Sequence, residues 1–256
     1  MLHSGLVSIT FRALSVQEIV DLARTAGVEG IEWGGDEHVL PGDMQRAREV
    51  KHLTEGAGLT VSAYGSYYRL RPPDQEDASF EAVLAAAVGL GAPIIRVWAG
   101  RQPPAVVDAA ERARIVADSR RIADMAAGQG IAIAYEYHRN TLTDTADSAV
   151  DLLTTVDHPN VKTFWQPPNG MSPAESLAGL NAVAPWVTSV HCFHWGATSQ
   201  DRYPLSDGEA HWESYLARIA ALPGDHFVSV EHVKDDAPAQ FLQDAATLKR
   251  WLALWG

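Results

Sequence analysis

Four polar residues end successive apolar runs in the second half of the chain. Glu136 ends "IAIAYE", Gln166 ends "VKTFWQ", His191 ends "WVTSVH" and Glu231 ends "HFVSVE". Carboxylate, amide and imidazole groups at one place can hold a divalent cation or transfer protons. A single residue of this kind is typical of a strand end that reaches solvent. Four successive ones at the same position of their runs predict a site where the side chains converge.

Alternation along a strand indicates which side chains share a face. Glu136, His191 and Glu231 alternate with bulkier residues that suit packing against helices, so all three are expected to point inward. Gln166 shares its face with a lysine and a phenylalanine, which is a less regular case. Two inward glutamates repel each other, and a divalent cation between them removes that repulsion. Oxygen-rich ligation with one imidazole favours Mn²⁺, with Mg²⁺, Co²⁺ or Zn²⁺ as alternatives.

The elements that must position these residues alternate between short apolar runs and longer amphipathic stretches. We predict strands at residues 6–11, 28–33, 59–64, 92–98, 131–136, 161–166, 186–191 and 226–231. Helical stretches between them begin at capping boxes, such as "SVQE" at 15–18 and "SPAE" at 172–175. Eight strand–helix units in strict alternation predict an α/β protein with a single (β/α)₈ TIM barrel. A doubly wound open sheet is the alternative, but no G-x-G-x-x-G follows the first strand.

Composition narrows the classes of protein further. The chain has 256 residues, 46% of them hydrophobic, which predicts a single domain over 1–256. A net charge of -12 opposes binding to a nucleic acid. The one cysteine, Cys192, excludes an intramolecular disulfide and is typical of a reducing compartment. No run approaches 18 apolar residues and the N-terminus has no signal-peptide pattern, so we expect a cytoplasmic protein without a membrane span.

Motifs near four of these strand ends resemble the xylose isomerase-like TIM barrels, a family of sugar isomerases and epimerases that includes inosose isomerases and ketose 3-epimerases. The motifs are "GIEWGG" after the second strand, "EYHRNTLTDT" after the fifth, "HCFHW" at the seventh and "VEH" at the eighth. The resemblance implies one divalent metal held by Glu136, Gln166, His191 and Glu231, and Glu136 and Glu231 as the catalytic acid–base pair. It also implies a small carbohydrate substrate and a homo-oligomer, as a dimer or tetramer.

The chain departs from the family pattern at the sixth strand. The family has an aspartate ligand where this chain has Gln166, which can ligate only through an uncharged amide oxygen. Two carboxylates instead of three can lower the affinity for metal or change the preferred metal. Asn169 stands where the family commonly has a substrate-binding histidine, three residues further on.

Several more residues are predicted to contact the substrate. Aromatic side chains at the ends of strands three and four would form a wall against the C–H face of a sugar. Loop residues after the fifth, sixth and seventh strands would lie over the barrel mouth. An acidic residue on the second strand would point into the lumen. The predicted contacts are Glu32, Tyr64, Trp98, His138, Asn169, His194 and Arg202.

Two further assignments follow from burial. A buried arginine needs a partner, so Arg96 on the fourth strand is expected to pair with Glu32 or Glu136. The remaining histidines, among them His232, are assigned to surface or packing positions.

The first function predicted is a metal-dependent isomerase or epimerase of a ketose, polyol or inosose. It would remove a proton beside a carbonyl and pass through a metal-stabilised enediolate. A dehydratase on the same scaffold would begin with the same step and then expel a β-hydroxyl. A third hypothesis is a non-catalytic sugar-binding barrel with a decayed metal site. A fourth is an apurinic endonuclease, and the net charge argues against it.

Overall fold

Parallel strands close into a barrel in the computed structural model, which describes residues 1–70 and 78–255. Within these residues, eight strands follow one another around the barrel in chain order, and the first pairs with the last. The strands are β1 (Leu2–Val7), β2 (Gly30–Gly34), β3 (Thr60–Arg69), β4 (Ile94–Trp98), β5 (Ala132–Glu136), β6 (Val161–Trp165), β7 (Val187–Cys192) and β8 (His226–Val230). The predicted (β/α)₈ barrel is therefore confirmed.

Helices cover the outside of the barrel. They are α1 (Val16–Ala26), α2 (Met44–Gly56), α3 (Phe80–Leu90), α4 (Ala109–Ala127), α5 (Ala146–Val156), α6 (Pro173–Val183), α7 (Glu209–Ala220) and α8 (Pro238–Leu252). Both predicted capping boxes are present, at Ser15 with Glu18 and at Ser172 with Glu175. Among the described residues, no helix has the length and apolar character needed to cross a bilayer.

The first strand begins and ends four residues earlier than predicted. Its register with β8 runs from Leu2 beside His226 to Leu6 beside Val230, so polar residues lie inside β1. They are tolerated at the barrel floor because Glu29 accepts hydrogen bonds from Ser4. The apolar run after β1 instead forms a 3₁₀ turn at Ser8–Phe11.

A second correction concerns β3, which continues five residues beyond its predicted end, to Arg69. The other strands begin and end within two residues of their predicted bounds.

The hydrophobic core is divided by the barrel wall. The larger part lies between strands and helices and contains Cys192, which points away from the lumen as predicted. A small cluster of Ala63, Ala134 and Phe164 fills the lumen. Because two members of this cluster are alanines, space remains above it for polar side chains at the C-terminal ends of the strands.

Replacing Ser15 by alanine should destabilise the protein through the start of α1. Ser15 Oγ accepts a hydrogen bond from the Glu18 N–H, and the Glu18 carboxylate accepts one from the Ser15 N–H. We expect Ser15→Ala to lower the free energy of unfolding by about 1 kcal/mol, measured by urea unfolding followed by circular dichroism. Ser15→Thr keeps the hydroxyl and should stay close to the wild type. Equal unfolding midpoints for the wild type and Ser15→Ala would contradict the role of this cap.

Candidate active site

Arg96 joins two glutamates inside the lumen. Its Nε donates to Glu32 Oε1 at 2.8 Å, and its Nη1 donates to Glu136 Oε2. All three side chains are buried. The prediction that Arg96 pairs with Glu32 or Glu136 is confirmed, and it pairs with both. Removing one partner would leave a charge buried without full compensation, which typically costs about 3–5 kcal/mol.

His191 continues this network across the barrel from β7. Its Nε2 lies 2.9 Å from Glu32 Oε2. Its Nδ1 lies 3.1 Å from Gln166 Oε1 and 3.7 Å from Glu231 Oε2. One glutamate on β2 therefore orients both Arg96 and His191, and the second imidazole nitrogen faces the residues that follow β6 and β8.

The charges in this network shift one another's pKa values. Burial by itself would raise the pKa of Glu32, but His191 and Arg96 outweigh it and lower that pKa to about 2. Burial would lower the pKa of His191, but Glu231 and Glu32 raise it to about 9. Burial would likewise raise the pKa of Glu231, but His191, His232 and Arg96 lower it. Glu32 and Glu231 are therefore held in their ionised forms at neutral pH.

Three of the predicted ligands are placed to hold a metal ion. Glu136, His191 and Glu231 each offer a ligand atom, and these atoms lie within 4.8 Å of one another. Gln166 Oε1 faces the same imidazole nitrogen as Glu231, which puts the amide beside this group. The Nε2 of His191 already contacts Glu32, so Nδ1 is the nitrogen available to a metal. A carboxylate on the distal nitrogen is the usual way a ligand histidine is oriented.

The charge of the donor set also suits a divalent cation. His191 is protonated at neutral pH without a metal, and a metal on Nδ1 would displace that proton. The carboxylates of Glu32, Glu136 and Glu231 and the guanidinium of Arg96 would then leave a formal excess of two negative charges. A divalent ion would neutralise that excess inside a buried site, where unpaired charge is unfavourable. The residues present therefore fit a divalent metal.

The network opens into a cavity of about 610 Å³ at the C-terminal ends of the strands. This volume is typical of a site for a small molecule. Trp98 and His138 form part of its wall, with ring centroids 4.4 Å apart. The predicted residues that line the cavity are Trp98, Glu136, His138, Gln166, Asn169, Arg202 and Glu231.

Tyr64 lies outside this cavity, contrary to the prediction. Its hydroxyl donates to the Val39 carbonyl at 2.8 Å on the helix side of the barrel wall. A register shift between β2 and β3 pairs Glu32 with Ala63, which belongs to the small cluster in the lumen. Tyr64 is consequently a core residue.

Glu32 and His194 also differ from the predicted substrate contacts. Glu32 points into the lumen as expected, but both of its oxygens are occupied by Arg96 and His191 beneath the cavity. His194 lies in a neighbouring cavity of about 480 Å³ beside His211. It follows His191 by three residues, and that spacing turns it away from the lumen.

Several residues that line the cavity were not identified from the sequence. Arg12 follows the first strand, whose predicted position was four residues too late. Tyr67 lies on the unexpected extension of β3 and accepts a hydrogen bond from Arg12 at 2.7 Å. His232, assigned to surface or packing, also lines the cavity. Alternation along β8 would turn His232 away, and no local sequence signal indicates otherwise.

Comparison with known proteins identifies the family. A model described as xylose isomerase-like TIM barrel matches residues 20–251. The chain belongs to the xylose isomerase-like TIM barrels. A 3-dehydroshikimate dehydratase from Bacillus anthracis is 28% identical to this family member over 259 residues, covering 89% of each chain.

Solved structures share the fold of this xylose isomerase-like barrel at lower identity. A Bacillus anthracis protein described as a probable 3-DHS dehydratase has a TM-score of 0.78 at 22% identity, covering 97% of this chain and 99% of that one. The IOLI protein with a bound zinc atom has a TM-score of 0.73 at 16% identity, with 99% and 97% covered. A D-psicose 3-epimerase with D-tagatose from Clostridium cellulolyticum H10 has a TM-score of 0.69 at 15% identity, with 99% of each chain covered.

Glu32→Gln should weaken metal binding although Glu32 is not one of the expected ligands. The variant loses the carboxylate that orients His191, and such changes typically lower metal affinity about 10–100-fold. Titration of the metal-free protein with Mn²⁺ by calorimetry measures the effect. Glu29→Gln is the matched control, because Glu29 lies at the opposite end of the barrel beside Ser4. Equal affinities for both variants would contradict the orienting role of Glu32.

Gln166→Glu should strengthen metal binding by adding a third carboxylate beside His191. We expect Mn²⁺ to bind roughly tenfold more tightly, or by about 1.4 kcal/mol. Gln129→Glu adds the same charge at an exposed position of the chain and controls for net charge. Weaker binding in Gln166→Glu than in Gln129→Glu would show that residue 166 does not face the metal.

Proposed function

We propose that this protein is a divalent-metal-dependent lyase. It removes water from a small cyclic β-hydroxy ketone that carries a carboxylate, a substrate of the 3-dehydroshikimate type. The observation that carries the proposal is the buried group of Glu136, His191 and Glu231, whose two glutamates line a cavity of about 610 Å³. The 28% identical 3-dehydroshikimate dehydratase, which matches over most of both chains, supports dehydration over the isomerisation predicted first.

The two glutamates supply the acid and the base. One carboxylate removes the proton from the carbon between the ketone and the carbon that bears the β-hydroxyl. The electron pair left behind forms a carbon–carbon double bond as the C–O bond breaks. The proton taken up by the first carboxylate then reaches the departing hydroxyl by way of the other carboxyl group, and the hydroxyl leaves as water. Enolisation of the remaining ketone then makes the ring aromatic. General acid–base catalysis of this kind typically contributes about 10²–10⁴-fold to the rate.

Glu136, His191 and Glu231 would hold the metal, with Gln166 as a neutral fourth ligand. When bound, the metal polarises the substrate carbonyl and so acidifies the neighbouring C–H bond. We infer Mn²⁺, with Mg²⁺, Co²⁺ and Zn²⁺ as alternatives, from the oxygen-rich donor set. Arg96 is itself bonded to Glu32 and donates to Glu136, so it limits the orientations that the Glu136 carboxylate can adopt.

Guanidinium groups in the cavity wall support a carboxylate-bearing substrate. Among the described residues, the lining includes Arg12, Arg96, Arg139 and Arg202 beside Glu136, Asp144 and Glu231. Arg12 and Arg202 pair with Asp36 and Asp236, and Arg96 pairs with Glu32 and Glu136. Arginine is the side chain best suited to bind a carboxylate. Trp98 and His138 also give this wall an aromatic part.

An isomerase or epimerase of a small carbohydrate is the second candidate. Glu136 ends β5 and Glu231 follows β8, two strands lie between β5 and β8, and both glutamates line the same cavity. Such a pair could remove a proton on one face of a substrate and return it on the other. This reaction shares its first step with dehydration, so the fate of the β-hydroxyl distinguishes the two.

Incubation of the Mn²⁺-loaded protein with 3-dehydroshikimate tests the proposal. We expect 3,4-dihydroxybenzoate, detected by liquid chromatography with mass spectrometry as the loss of one water. Glu136→Gln and Glu231→Gln should each lower the rate by about 10²–10⁴-fold, because each removes one proton-transfer group. Glu29→Gln should leave it unchanged.

Exchange of the substrate proton with D₂O shows which glutamate removes that proton. The variant that keeps this glutamate should still exchange the proton, and the variant that lacks it should not. A product of unchanged mass would favour the isomerase. Absence of both turnover and exchange with metal bound would contradict both functions.

A further inference from the structure

His232 directly follows Glu231 and has an unusual backbone conformation. Its φ is 47°, in the left-handed region that only a few per cent of residues other than glycine occupy. Asp235 and Asp236, further along the same loop, also have positive φ values, of 58° and 49°. Backbone strain of this kind persists only where the surrounding structure holds it, and it is concentrated at functional sites.

Contacts from other parts of the barrel hold this conformation. Thr10 Oγ1, in the turn after β1, accepts a hydrogen bond from the His232 N–H at 3.0 Å. Trp195 Nε1, in the loop after β7, donates to the His232 carbonyl at 3.2 Å. Arg202 pairs with Asp236 and so joins the loop after β7 to the loop after β8. The peptide groups on both sides of the His232 Cα are therefore fixed.

The consequence of this conformation is the direction of the imidazole. Regular alternation would turn His232 away from the lumen, because its neighbour Glu231 points inward. The positive φ interrupts the strand pattern, and His232 lines the cavity instead. Neither ring nitrogen forms a hydrogen bond with any described residue, although the backbone N–H and carbonyl of His232 are both bonded. The ring lies 6.0 Å from the ring of Trp195, measured between centroids.

We propose that His232 is a substrate-binding residue whose imidazole forms a hydrogen bond with an oxygen of the substrate, on the side of the cavity next to Glu231. The inference deepens the proposed function and rests on it, because the oxygen belongs to the cyclic hydroxy ketone. A packing role would not need a strained backbone, because a side chain that only fills space can extend from a residue with ordinary φ and ψ angles. A free polar ring in the cavity has hydrogen-bonding capacity that the protein itself does not use.

Glycine and alanine variants separate strain from binding. Glycine adopts positive φ freely, whereas alanine keeps the strain. His232→Gly should therefore melt about 2–4 °C above His232→Ala. Both variants should raise KM for 3-dehydroshikimate about tenfold, the usual effect of losing one hydrogen bond, with kcat changed less than about threefold. His232→Asn tolerates positive φ and keeps a polar group, so its KM should lie between those of the wild type and His232→Gly.

Asp235 provides the matched control within the same loop. It has a similar φ but is exposed and does not line the cavity. Asp235→Gly should melt about 2–4 °C above Asp235→Ala while KM stays at the wild-type value. Stability gains at both positions, with a KM effect only at 232, would show that the strain at His232 serves substrate binding.

The outcomes distinguish this inference from the proposed function. A wild-type protein that binds Mn²⁺ but does not convert 3-dehydroshikimate would overturn the proposed function, and this inference with it. An active wild type with an unchanged KM in His232→Gly would overturn the inference alone. It would also be overturned if His232→Gly melted no higher than His232→Ala, because the backbone would then carry no strain to explain.

Discussion

The structure depends on the pairing of charges buried in the barrel lumen. Arg96 could not be buried alone, because an unpaired charge in the interior is strongly unfavourable. Glu32 and Glu136 compensate it, and the lumen around them is built from residues small enough to admit the pairs. Gly65 shows how little room is left, since a Cβ there would lie 2.6 Å from Glu32 Oε1 and 2.8 Å from Arg96 Nη2.

This charge network links the candidate metal ligands to strands that contribute no ligand. His191 is oriented by Glu32 on β2, and Glu136 is held by Arg96 on β4. The geometry of the site therefore depends on β2 and β4 as much as on β5 to β8, where the ligands lie. Residues in the first half of the chain therefore position the candidate metal ligands in the second half.

The loops above the network add arginines to the wall of the cavity. Arginines from the loops after β1, β5 and β7 line it, although acidic residues dominate the composition. Guanidinium groups of these arginines could bind a carboxylate of the proposed substrate. The strained β8 loop contributes His232 to the same wall, where the loops after β1 and β7 hold its backbone. In the proposed function, residues of the loops bind the substrate and residues at the strand ends transfer protons.

The sequence by itself determined the barrel and the inward direction of Glu136, His191 and Glu231, because hydrophobic alternation and helix caps are local patterns. It also predicted that Arg96 needs an acidic partner. Only the tertiary structure decided that Glu32 serves both Arg96 and His191, since these residues are far apart in the chain. The tertiary structure also decided the place of Tyr64, which lies in the core because of a register shift between β2 and β3. It likewise decided that Arg12 lines the cavity, because β1 lies four residues earlier in the chain than predicted. His232 is the clearest case: the sequence assigned it to a surface or packing position, and contacts with Thr10 and Trp195 determine its direction into the cavity.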